Sequence, residues 1–114
     1  MRKPAERVRD ILDAIEQIER YAAHGRERFN QDELVQVWML HHLQIIGEAA
    51  ARLGRRFHAA HPEVAWSRIV AMRNVVVHEY FGVDLDEIWN TASRELPGLK
   101  ARIERLLQEL EASS

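Results

Sequence analysis

Apolar residues recur along most of this chain at steps of three and four, the spacing that gathers them on one side of an α-helix. The first run is Val8, Ile11, Leu12, Ile15, Ile18 and Ala22, and Gly25 marks its end or the loop beyond it. Asn30 followed by Glu33 reads as a capping pair that opens a second helix from about Gln31 to Arg52. In that helix Leu34, Val35, Val37, Trp38, Met39, Leu40, Leu43, Ile45 and Ile46 surround most of the circumference over the first half. Such a helix is expected in the centre of a bundle or shared with a partner. Gly47, Ala50 and Ala51 are small enough to let another helix approach, and Gly54 tolerates the left-handed conformation that ends a helix.

A loop with His58, His61 and Pro62 follows, and a third helix is predicted from Trp66 or Ser67 to Gly82. Asp84 with Glu87 caps a fourth, which carries Leu85, Ile88, Trp89 and Ala92 on one face. Pro97 either kinks this helix or starts a fifth presenting Leu99, Ile103, Leu106 and Leu110. No strand-like alternation and no internal repeat interrupts the pattern. Short connections favour antiparallel neighbours, so the expectation is an all-α, four- to five-helix antiparallel bundle, one domain over residues 1–114.

Composition narrows the function classes. The chain has no cysteine, which excludes disulfides, thiol catalysis and thiolate metal sites. It has neither an apolar signal run at the charged N-terminus nor an 18-residue apolar stretch, so no membrane role and a cytoplasmic location are expected. The net charge of −2 speaks against nonspecific nucleic-acid binding, but it is unevenly spread. Arg52, Arg55, Arg56, Arg68 and Arg73 face only Glu63 in their stretch, a locally basic middle that can attract a phosphate backbone.

The chemistry concentrates at the end of the third helix, where Arg73, His78 and Tyr80 form R-x-x-x-x-H-x-Y. Arginine holds a phosphate and histidine moves a proton near neutral pH, the minimum kit for cutting RNA without a metal. At about 100° per residue Asn74 and His78 share a face, as do Arg73 and Tyr80, whereas Arg73 and His78 are about 140° apart. They converge on one phosphate only if the helix loosens near His78 or a second copy completes the site, which is the reason to expect a homodimer. In that scheme His78 acts as acid–base group, Arg73 neutralises charge on phosphorus, and Asn74 orients His78 or donates to a phosphate oxygen. Taken singly, each residue also fits a plain role: His78 as a helix-end cap, Arg73 as a surface ion-pair partner, Tyr80 and Phe81 as packing of a last turn.

The stretch from Trp66 through Arg73, Asn74, His78 and Tyr80 to Phe81-Gly82-Val83-Asp84, with Ile46-Gly47-Glu48-Ala49-Ala50 in the second helix, closely resembles the HepT-type toxins of the HEPN superfamily. The resemblance implies a helical homodimer with paired motifs at the dimer cleft and metal-independent endoribonuclease activity needing no cofactor. It also implies a toxin–antitoxin pair whose MntA-like nucleotidyltransferase antitoxin transfers AMP from ATP onto Tyr80. A bulky anion two residues from His78 would block the cleft and repel RNA. The contrasting possibility is a noncatalytic helical partner that binds a nucleotide, dimerises or positions a nucleotidyltransferase. The remaining polar residues suggest little: His41 and His42 are adjacent and point to different faces, His58 and His61 lack further ligands, and Glu48 either reaches the cleft as a polar helper or, the reading preferred here, sits at a solvated edge. No metal site is expected.

Overall fold

The computed structural model describes residues 2–74 and 84–113, and among these every regular element is helical. Helix α1 (Pro4–Ala22) starts with a proline where no N–H is needed, carries Glu6 in its first turn and Arg20 in its last, and buries Val8, Ile11, Ala14, Ile15 and Ile18. Gly25, at φ 89°, turns the chain into the short helix α2 (Arg26–Gln31), whose Phe29 is fully buried.

The next cap falls on a different residue from the one expected. Asn30 lies inside α2, and Asp32 caps helix α3 (Glu33–Ala60): its carboxylate accepts from the Leu34 N–H at 3.1 Å and the Val35 N–H at 3.3 Å. Asp32 has the extended backbone an N-cap requires (φ −121°, ψ 99°), which a residue within a helical turn does not. Gly54 does adopt a left-handed φ of 85°, but the chain resumes helical turns beyond it, so His58 sits in a helix rather than a loop. A helix interrupted at Gly54 leaves carbonyls without regular partners. The His58 Nε2 lies 2.7 Å from one of them, that of Ala50, and the imidazole stacks on Trp66 with centroids 4.8 Å apart. The Trp66 indole in turn donates to the His61 carbonyl at 2.9 Å. This corner delivers α4 (Trp66–Val70), which continues as a 3-10 turn, Ala71–Asn74.

Asp84 caps α5 (Leu85–Asn90) by accepting from the Glu87 N–H at 3.0 Å, as its spacing predicts. A π-helical turn, Thr91–Glu95, separates α5 from α6 (Leu96–Ser113), and its Leu96 N–H bonds the Thr91 carbonyl. Pro97 therefore sits in the first turn of the last helix. It has no N–H and its ring would collide with the Ser93 carbonyl in a regular helix, and the wider π turn relieves that conflict.

Pairings fix the bundle's sense. Arg9 bonds Glu111 at 2.6 Å and Lys100 bonds Glu19 at 2.8 Å, so α1 and α6 run antiparallel. Tyr21 packs edge-on against Trp38 at 5.9 Å while Arg7 and Asp10 border the same groove as Ala49 and Arg52, so α1 and α3 are antiparallel too. Phe29 against Trp89 (5.3 Å) and the Arg26–Asp86 pair tie α2 to α5. The core between these helices holds Ile11, Ile15, Ile18, Met39, Leu43, Ile46, Ile69, Ile88, Leu96, Ile103 and Leu106, all fully buried. Each such side chain contributes about 1.5–3 kcal/mol of burial, so apolar packing dominates over the exposed ion pairs. Leu34, Val37 and Trp38 remain exposed, consistent with a helix whose apolar surface exceeds what its own chain covers. Among the described residues no helix is long and apolar enough to cross a membrane.

Candidate active site

One residue without a side chain decides where Arg73 stands. At Gly47 the 3-10 turn crosses α3 so closely that a Cβ there would lie 2.5 Å from the Arg73 nitrogen and 2.8 Å from its Cβ. Nothing larger than glycine fits without moving that backbone. The crossing presents Arg73 and Asn74 opposite one face of α3, on which His41, Gln44 and Glu48 recur at helical spacing with Ile45 among them. Together these six residues line an open cleft of about 550 Å³.

Glu48 organises the charge in it. One carboxylate oxygen accepts from Arg52 Nε at 2.9 Å, the other from Arg73 Nη1 at 3.4 Å. Both partners of the Glu48–Arg73 pair are close to half exposed, so the contact adds at most about 1 kcal/mol of stability. Its consequence is directional: the guanidinium is oriented over the cleft by one N–H, and among the described residues its remaining donors have no partner, which suits them to a phosphate oxygen. Asn74 adds a neutral donor and acceptor beside it. A wall of this kind can hold a phosphodiester and stabilise charge building on phosphorus.

Of the residues singled out in the sequence, Arg73 and Asn74 stand side by side on this wall, both exposed. His78 and Tyr80 lie outside the described residues. The helix expected from Trp66 to Gly82 changes character early: regular α geometry stops at Val70, and Arg73 and Asn74 belong to the tighter 3-10 turn. His41 and Gln44 had no place in the sequence-based site, and Glu48 stood there as either a polar helper of the cleft or a solvated edge residue. Glu48 is half exposed as expected at an edge, yet it touches Arg73. His41 and Gln44 share its face at i, i+3 and i+7, a signal visible only once that face is known to meet the motif. The neighbouring histidine is different: His42 is buried, its Nδ1 2.8 Å from the Trp38 carbonyl. His61, Glu63 and Glu109 bring donor atoms within 4.8 Å of one another, but none of them lines this cleft.

Residues 11–106 match the family model described as ribonuclease HepT-like. The chain belongs to the HepT-like family. It is 38% identical over 98 residues to the protein named "Probable ribonuclease HepT" of Thermococcus cleftensis, covering 85% of this chain and 89% of that one. It is 36% identical over 110 residues to a protein of Caldanaerobacter subterraneus subsp. tengcongensis named as a putative RNase, covering 96% and 98%. A Methanocaldococcus jannaschii protein named "Gamma-glutamylcyclotransferase and putative RNase" is 32% identical over 102 residues, which span 89% of this chain and 46% of that longer protein. No solved structure matches this HepT-like chain significantly. The family and these relatives support ribonuclease activity, and the all-helical bundle agrees with the HEPN fold.

Proposed function

We propose that this HepT-like chain is the toxin of a toxin–antitoxin pair, a metal-independent endoribonuclease whose cleft is completed in a homodimer. The supporting observation is the placement of Arg73 and Asn74 on an open cleft wall, seated by Gly47 and oriented by Glu48. In the proposed reaction an RNA 2′-oxygen attacks the adjacent phosphorus and gives its proton to a base. The P–O5′ bond breaks, the 5′-oxygen takes a proton from an acid, and a 2′,3′-cyclic phosphate and a 5′-hydroxyl result. Arg73 clamps the phosphate, Asn74 orients, and His78 exchanges the proton. The second proton carrier is His78 of the other copy or, from the facing wall, His41. DNA lacks the attacking hydroxyl and is not a substrate.

Neutralisation follows from the same motif: a cognate MntA-like nucleotidyltransferase moves AMP from ATP to the Tyr80 oxygen with release of pyrophosphate, adding a bulky anion two residues along the chain from His78. The test joins intact mass with RNA cleavage. The unmodified chain is expected to cut RNA in the presence of EDTA. His78→Ala is expected to abolish cutting while leaving partner binding unchanged, and co-expression with the nucleotidyltransferase and ATP to add AMP mass and silence cutting. Cleavage that survives His78→Ala would sink the catalytic assignment. A chain that never cuts RNA yet binds its nucleotidyltransferase would be the noncatalytic partner instead.

A further inference from the structure

A second recess lies apart from the cleft wall, between α4 with its 3-10 turn and the rod formed by the π turn and α6. It measures about 260 Å³, and Ile69, Met72 and Leu99 contribute apolar lining. Its polar border is arginine-rich: Arg68, Arg94 and Arg102, against the single acid Glu95. Arg68 is bonded to Glu95 at 2.6 Å, whereas Arg94 and Arg102 have no ion-pair partner among the described residues. Residues 94, 98 and 102 follow one another at four-residue steps, so the two free guanidinium groups flank Gly98 along one stripe. A Cβ at Gly98 would meet nothing within 4 Å, so the missing side chain leaves this stretch of the groove open. Two arginines without an ion-pair partner among the described residues, in a chain of net charge −2, suit a ligand that carries phosphates. Met72 and Arg73 are neighbours in the chain, yet they line different recesses.

We propose that this groove binds the RNA strand outside the scissile cleft, Arg94 and Arg102 holding successive backbone phosphates. The proposal rests on the ribonuclease reading and extends it to how a long substrate is held. Such a contact acts on substrate binding and not on the bond-breaking step, so it predicts a KM effect with kcat preserved. Three variants of the full chain separate it from a folding defect. Arg94→Ala/Arg102→Ala is expected to weaken binding of a non-cleavable 2′-O-methyl oligoribonucleotide on the order of tenfold or more, two charge-assisted contacts being lost. The slope of log affinity against log salt should fall by about 1.4, at about 0.7 per phosphate contact on a single strand. Glu95→Gln releases Arg68 and should tighten binding. Gly98→Phe fills the groove from a position with open space, and should weaken binding with helix content intact.

Cleavage of long RNA should show a raised KM and unchanged kcat in the first and third variants. If the parent chain cuts RNA and these variants leave KM, affinity and salt slope unchanged, the groove proposal is overturned and the ribonuclease reading stands. If the oligonucleotide binds through the groove but no RNA is ever cut, the groove stands and the ribonuclease reading falls. Binding neither altered by the variants nor detectable in the parent overturns the proposal.

Discussion

The contact at Gly47 makes a sharp prediction because its cost can be worked from one distance. In Gly47→Ala the added methyl would sit 2.5 Å from the Arg73 backbone nitrogen, where ordinary contacts begin near 3.4 Å, so the 3-10 turn must retreat by about 1 Å. Overpacking of this kind costs about 1–3 kcal/mol. Replacing glycine by alanine inside a helix returns about 0.8–1.0 kcal/mol, so the net change should lie between near zero and a loss of about 2 kcal/mol. Gly98→Ala is the matched control: same chemistry, inside the helical rod, with nothing within 4 Å of the new methyl. It should gain about 0.8–1.0 kcal/mol outright. At about 3–6 °C per kcal/mol for a chain of this size, Gly98→Ala should melt several degrees above the parent and Gly47→Ala at or below it. Activity should separate them further. A 1 Å misplacement of Arg73 is expected to cost about a hundredfold in kcat/KM, whereas Gly98→Ala should leave kcat intact. Thermal melts by circular dichroism and RNA cleavage by both variants measure the pair. If Gly47→Ala melts as high as Gly98→Ala and cuts RNA at the parental rate, the close crossing does not position Arg73 and the account of the cleft is wrong.

Other consequences can be checked in the same assays. Glu48→Gln should change stability by no more than about 1 kcal/mol, because its ion pairs are half exposed, yet should lower cleavage by freeing the Arg73 side chain; parental kinetics would remove Glu48 from the site. Asp32→Ala deletes the side-chain N-cap of α3 and should cost about 1 kcal/mol in urea denaturation, while Asn30→Ala should cost much less. Phe29→Ala empties a fully buried position against Trp89 and should destabilise by about 3–5 kcal/mol; a loss under 1 kcal/mol would mean that α2 is not docked as described.

Periodicity was enough to reveal the all-helical class, because the spacing of Val8 to Ile18 or of Leu99 to Leu106 is a local property that burial against any neighbour satisfies. The stop at Gly54 and the cap at Asp84 were legible for the same reason: each depends on the backbone of a few adjacent residues. The cap of α3 was misplaced by two residues, since the choice between Asn30 and Asp32 turns on whether the intervening turn is helical, and Phe29 settles that by burying itself against Trp89. Arg73 and Asn74 are marked in the sequence by a short motif, and the structure sets them side by side on one cleft wall. What the motif could not contain was the rest of the cleft. Glu48 and His41 lie 25 and 32 positions before Arg73 in the chain, and only the packing of the 3-10 turn onto Gly47 brings their face opposite it. The groove of Arg94 and Arg102 is likewise a product of tertiary packing. Its apolar floor comes from two helices whose register is set by the core they share, and no local pattern records that register.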